Sequence, residues 1–324
     1  MFRRLLFIII IVFVIVFGHR YWEPKDNLPV IAITQIIEHT TLDTVREGLV
    51  KGLEEKGYHD GKEIRIVYQN AHGQMTTAAQ IVQHFANLKP KALVALSTQS
   101  AQLLQNLSQN QQIPLIFSAV TDPVAAKLVQ DVKVPVPGIT GVSDYMDAAP
   151  QIAMIKAFLP DIKTLGVLHN PSEVNSTLFL NTFEKEAAQQ GITILRSPLN
   201  NTSEAISATR NLLNKVDAIY FPNDNTAMAA VSAIVGIAHA HGTPLFVNDQ
   251  ASVEKGALAG LSYDRIQMGK DTAALVVKAI ENPVSPILAP TQVGGKIDVV
   301  VSKEALAQLK KTLPTALQNV KLLP

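Results

Sequence analysis

Apolar residues along this chain follow two alternating rhythms, and the alternation predicts the architecture. Short runs rich in Val, Ile, Leu and Phe at 30–34, 64–68, 92–96, 114–117, 165–168, 193–196, 218–221, 244–247, 257–262 and 297–301 predict strands. Between them, 42–56 carries Val45, Leu49 and Leu53 at helical spacing, and 76–88, 101–109, 148–158, 176–190, 203–215, 226–240 and 268–280 read as helices. Gly57-Tyr58-His59-Asp60-Gly61 stops the first of these helices. Mostly apolar strands alternating with helices predict parallel sheets covered on both faces. The rhythm restarts after Gly138-Ile139-Thr140-Gly141-Val142, and 324 residues exceed the usual single core. The expected fold is therefore α/β, with two doubly wound parallel-sheet lobes. The stretch 260–265 crosses back, which places about 264–290 with 30–143 in lobe 1 and about 291–324 with 144–263 in lobe 2. Such repeated crossings make a hinge.

Six strands end in polar clusters. They are Thr34-Gln35, Ser97-Thr98-Gln99, Ser118-Ala119-Val120-Thr121-Asp122, Asn170-Pro171-Ser172-Glu173-Val174-Asn175-Ser176, Asn223-Asp224-Asn225-Thr226 and Asn248-Asp249-Gln250. In open parallel sheets, ligands sit outside the carboxyl ends of the strands, so these clusters mark a cleft, three to each half of the chain. Each has two readings. Ser97, Thr98, Asn175, Ser176 and Asn225 can cap helices, and Asp122 and Asp249 can close turns. Hydroxyl and N–H groups at a helix start can equally hold an anion, and Glu173 or Asp224 can pair with a ligand ammonium. Donors in the first half with carboxylates mainly in the second suit a zwitterion gripped at both ends. Asp122, in the first half, is the exception.

Composition removes several function classes. Lys plus Arg number 28 against 27 acidic residues and are scattered, so no nucleic-acid surface is indicated. With no cysteine there are no thiol nucleophiles, iron-sulfur clusters or disulfides. No phosphate loop, dinucleotide fingerprint or nucleophile elbow occurs. His239 and His241 lie two apart, which on a helix sets them on different faces, and His39, His72, His84 and His169 have no ligand-type spacing. Neither metal nor cofactor is expected, and no base stands beside a nucleophile, so binding is favoured over catalysis.

Arg3 and Arg4 precede an unbroken apolar run over 5–17, followed by His19-Arg20-Tyr21-Trp22. The run has the length of a secretory signal, but no small-x-small cleavage site follows. Residues 1–22 are thus read as a signal peptide or uncleaved inner-membrane anchor, and 23–29 as a linker.

From about residue 30 to 301 the chain also resembles a known family. Ile33-Thr34-Gln35-Ile36-Ile37-Glu38-His39, Gly57-Tyr58-His59-Asp60-Gly61-Lys62, Phe117-Ser118-Ala119-Val120-Thr121-Asp122-Pro123, the cluster from Asn170 to Ser176 and Asp224-Asn225-Thr226 are similar to substrate-binding proteins of ABC transporters, in the subgroup associated with tryptophan and tyrosine. The resemblance implies a type I periplasmic-binding-protein fold closing on an amino-acid-like ligand, with a membrane permease and its ATPase as partners. It places Ser97, Thr98, Ser118, Ala119, Asn170, Glu173, Asn175, Ser176, Asp224, Asn225 and Asp249 along the cleft. The chain departs from the family in reading Ser97-Thr98-Gln99-Ser100-Ala101-Gln102 where Thr-Pro-Thr-Ala-Gln is frequent, and in lacking a lipid-modified start. A sugar receptor of the same fold, or a ligand sensor for a signalling partner, is the alternative. For the sugar receptor, stacking faces are scarce, the single Trp being Trp22.

Overall fold

The computed structural model describes residues 28–282 and 291–324; the expected leader at 1–22, and the linker up to residue 27, lie outside the described residues. The chain opens with β1 (Val30–Gln35), α1 (Thr40–Glu55), β2 (Arg65–Asn70), α2 (Met75–Leu88), β3 (Ala92–Leu96), α3 (Thr98–Gln111), β4 (Leu115–Val120) and β5 (Ile139–Ser143). It continues through α4 (Ala148–Phe158), β6 (Thr164–His169), α5 (Val174–Gln189), β7 (Thr193–Pro198), α6 (Ala205–Leu212), β8 (Ala218–Tyr220), α7 (Asn225–Ala229), α8 (Val231–His241), β9 (Leu245–Val247), α9 (Gln250–Glu254) and β10 (Ala259–Tyr263). The last elements are α10 (Arg265–Glu281), β11 (Gln292–Val293), β12 (Ile297–Ser302), α11 (Lys303–Gln308) and β13 (Val320–Leu323).

These strands make two sheets, ordered β2-β1-β3-β4-β5-β11 and β7-β6-β8-β9-β10-β12-β13. All pairings are parallel except β10 with β12. Strands β1, β3, β4 and β5 are buried along their whole length, as the unbroken apolar runs require of strands covered on both faces. β2 and β7, at the edges, are partly exposed.

The second crossing delivers α10 to the first sheet, where it lies against α1. Two glycines permit the approach. A Cβ on Gly48 would sit 2.2 Å from the Ile266 carbonyl oxygen, and one on Gly269 would sit 2.2 Å from that of Val45. β11 pairs with β5, so Gln292 and Val293 belong to the first sheet, and β12 joins the second. The three crossings touch one another: Tyr263 donates its hydroxyl to Tyr145 O at 2.6 Å, Gly294 N donates to Ser143 O at 2.7 Å, and a Cβ on Gly294 would reach the Tyr263 ring at 3.0 Å.

Two expected helices are shorter than their periodicity suggests. The run 226–240 splits at Ala230 (φ −98°, ψ 7°), where α7, tied at its first turn to polar partners, gives way to α8; Ala227 and Met228 of α7 share one apolar cluster with Val231, Ile234, Val235 and Ala238 of α8. The run 203–215 is helical only to Leu212 after a 3-10 turn at Thr202–Glu204. Among the described residues, no helix is long and apolar enough to cross a membrane.

Candidate functional site

Residues just beyond β1, β3, β4 and β5 of the first sheet meet residues beyond β6 and β8 of the second around a cavity of about 20 Å³. Its walls are His39, Thr41, Leu42, Thr98, Ala119, Thr121 and Asp144 on one side, Asn175, Asn223, Asn225 and Met228 on the other, with Arg265 at the start of α10. That volume accommodates about one water-sized group, so larger solutes need the lobes to separate. A wider groove of about 520 Å³ forms the mouth, between Ile36, Ile37, Met75, Gln99 and Leu103 of the first lobe and Asn170, Asn201 and Thr202 of the second.

The first-lobe wall carries two backbone outliers. Ser97 and Ala119 adopt φ of 94° and 54°, values that non-glycine residues seldom take, and such strain collects at ligand sites. Ser97 caps α3 by accepting from Ser100 N through its hydroxyl at 3.4 Å. Thr98, the next residue, lines the cavity at the positive end of a 14-residue helix. Ser118 is fully buried, its hydroxyl accepting from Thr272 of α10 at 2.7 Å.

The second-lobe wall is organised by Glu173, which is 1% exposed. One carboxylate oxygen accepts from Thr226 N (2.9 Å) and Thr226 Oγ1 (2.7 Å). The other accepts from Asn225 N (2.9 Å), Asn225 Nδ2 (2.7 Å) and Asn175 Nδ2 (3.3 Å). With five donors on it, this carboxylate has no lone-pair site left for a ligand ammonium, contrary to the role offered from the sequence. It fixes Asn225 and Asn175 instead. Asp224 caps α7, accepting from Ala227 N at 2.8 Å and from Asn170 N at 2.6 Å. Burial, reinforced by the neighbouring Glu173 charge, pushes its carboxyl up to about 8. Asn170 accepts from Ser172 N and donates to Thr226 Oγ1, and Ser176 is fully buried.

Other expected residues are held elsewhere. The Gln35 amide is used within the first lobe, donating to Ile37 O and Asp43 and accepting from Tyr68. Asp122 accepts from Val124 N and Ala125 N, a turn-closing role that directs it away from the cavity. Thr34 is buried and outside the cavity lining. Asp249 does join the lobes: Thr41 donates its hydroxyl to Asp249 Oδ1 at 2.8 Å.

His39, Thr41, Asp144 and Arg265 line the cavity although they lie outside the six polar clusters, and Asn223, from one of those clusters, lines it too. Asp144 and Arg265 form a buried ion pair at 2.7 Å, and Asn223 Nδ2 donates to the same Asp144 oxygen at 3.1 Å. Asp144 was hidden because β5 did not stand out as a strand, leaving its polar end unnoticed. Several buried polar atoms here have no partner among the described residues: Asp144 Oδ1, Asn175 Oδ1, Asn223 Oδ1, Asp249 Oδ2 and Arg265 Nε.

His39 Nε2 lies 3.3 Å from Asn225 Oδ1 across the cleft, and its Nδ1 accepts from Leu42 N at 3.5 Å. Burial lowers its pKa to about 4 despite the opposing pull of Asn225, Asp249 and Asp43, with Arg265 adding to the depression. Below the unfolded value of 6.5, the unfolded chain takes up a proton that the folded chain refuses, so stability falls as pH drops from about 6.5 to 4. The contribution is on the order of 3 kcal/mol. Thermal unfolding across that window is expected to show a shallower acid-side slope in His39→Gln than in the wild type. Parallel profiles would contradict this.

The family model described as ABC transporter substrate binding protein matches residues 30–320. A tyrosine-binding protein of Clostridioides difficile is 32% identical over 280 residues, covering 86% of this chain and 80% of that protein. The structure of an ABC domain in complex with L-Trp from Streptococcus pneumonia superposes at a TM-score of 0.84, with 31% identity over 90% of this chain and 97% of that one. A ligand-free, open structure of a substrate binding protein with adhesive properties from Clostridium difficile superposes at 0.66, with 32% identity over 91% and 99%. The two-lobed α/β architecture is the type I periplasmic-binding-protein fold.

Proposed function

Since the chain belongs to the ABC transporter substrate binding protein family, we propose that it is the receptor of an ABC importer and captures an aromatic amino acid between its lobes. The observation that carries this reading is the cavity: both lobes supply buried polar walls that meet around one space. The tyrosine-binding relative supports the same solute class. Nothing along these walls pairs a nucleophile with a base, which favours capture over turnover.

In this mechanism the ligand carboxylate sits at the N-terminus of α3, beside Thr98, where backbone N–H groups and the helix dipole favour an anion. A ligand touching both walls binds the closed form better than the open one, and that differential affinity shifts the hinge toward closure. The strained backbone of Ala119 in β4 and the Glu173-held Asn225 keep the opposing walls ready before the ligand arrives. Residues 1–22 would export the chain and, if uncleaved, tether it to the inner membrane beside its permease and ATPase.

Isothermal calorimetry on the full chain in detergent tests the reading with L-tyrosine, L-tryptophan and D-glucose. Saturable one-to-one binding of at least one of the two amino acids, with no heat from glucose, is expected. Silence from both amino acids would overturn it.

A further inference from the structure

Three of the unpaired buried oxygens, Asp144 Oδ1, Asn175 Oδ1 and Asn223 Oδ1, belong to side chains that line the same cavity of about 20 Å³. All three are acceptors, and the surrounding hydrogen bonds fix them as such. The Asn175 amide nitrogen donates to Asn223 O at 2.6 Å and to Glu173, so flipping this amide would set its oxygen against two acceptors. The Asn223 amide nitrogen donates to Asp144 Oδ2, and a flip would face oxygen with carboxylate. Asp144 Oδ2 already accepts from Arg265 and Asn223, which leaves Oδ1 free.

A buried acceptor without a donor is costly, and three on side chains that line one small space call for a particular occupant. A water offers only two hydrogens. A primary ammonium has comparable size and three. Charge points the same way: Asp144 and Asp249 bring two negative charges near Arg265, and His39, with its pKa lowered to about 4, adds no positive charge at neutral pH. Of the two second-lobe carboxylates nearby, Glu173 is taken up by five donors and Asp224 lies outside the cavity lining.

We propose that Asp144, Asn175 and Asn223 form the ammonium subsite of this receptor, with Asp144 supplying the charge and Arg265 orienting it. The inference rests on the reading that the ligand is an amino acid, and assigns the half of the zwitterion opposite α3. It restricts the solutes to those with an unsubstituted, protonated α-amine.

The test compares whichever of L-tyrosine and L-tryptophan binds more tightly with its des-amino acid, 3-(4-hydroxyphenyl)propionate or indole-3-propionate, by calorimetry on the full chain in detergent. The wild type is expected to prefer the amino acid by about 100-fold or more. Asp144→Asn is expected to shrink that preference to about 10-fold or less. Loss of fold or of hinge geometry would weaken both compounds alike and leave the ratio unchanged, so the ratio separates ammonium recognition from a structural role. Asn223→Ala, at a half-buried turn residue, gives the same readout where Asp144→Asn does not fold, and its ratio is also expected to fall. A wild type that does not discriminate, or a ratio unchanged in the folded variants, would overturn the subsite. Failure of both amino acids to bind the wild type would instead overturn the reading on which it rests.

Discussion

Glu173→Ala is expected to lower the thermal unfolding midpoint by on the order of 10 °C and to weaken ligand binding at the same time. The carboxylate accepts from two backbone N–H groups, at Asn225 and Thr226, from two amide side chains and from the Thr226 hydroxyl, within a region where it is itself 1% exposed. Removing it strands several buried donors at once, each at about 1–3 kcal/mol where water does not reach it. Water entering the space left by the side chain recovers part of this, so the net cost is on the order of 3–5 kcal/mol. Binding suffers through position, because Asn225 and Asn175 are held by that carboxylate and line the cavity. Glu173→Gln keeps one acceptor oxygen but turns an NH2 group toward donors, so it is expected to recover little. Paired thermal unfolding and calorimetry check both variants. A midpoint within about 2 °C of wild type for Glu173→Ala would show that the carboxylate carries no such load.

The roles of Glu173 and Asp224 show where sequence reasoning reached its limit. The rhythm of apolar runs carried the strands and most of the helices, because parallel strands covered on both faces leave an unambiguous apolar signature. β5, interrupted by Thr140 and Gly141, and the short elements β11, β13, α9 and α11 escaped it, being too brief or too mixed for any period to emerge. Of the polar strand ends, Thr98, Ala119, Asn175 and Asn225 line the cavity between the lobes. What the pattern does not encode is direction. Gln35 and Asp122 sit at strand ends too, yet one amide is taken up inside its own lobe and the other side chain closes a turn. Glu173 and Asn175 are two residues apart; the first serves the second, and no spacing rule distinguishes them. Asp144 and Arg265 are 121 positions apart and meet only because two hinge crossings run side by side. Their pairing is a product of topology.

Ligand capture by closure is the second large effect, and the absence of cysteine makes it directly measurable. Met75 is 57% exposed on the first lobe and lines the mouth groove, and Ile206 is 45% exposed on α6 of the second. Cysteines placed at these two positions would be the chain's sole thiols, so each protein would carry one spin label on each lobe. Because the closed cavity of about 20 Å³ cannot admit an amino acid, the free receptor must visit an open form to load. A ligand that bridges the walls withdraws the population from that form. Pulsed electron paramagnetic resonance on Met75→Cys/Ile206→Cys, without ligand and with saturating L-tyrosine or L-tryptophan, reads this shift as a distance distribution. The account expects a longer-distance population in the free receptor that collapses into one short, narrow peak with an aromatic amino acid and is unchanged by glucose. An identical distribution with and without the amino acids would contradict the claim that this protein works by closing its lobes on them.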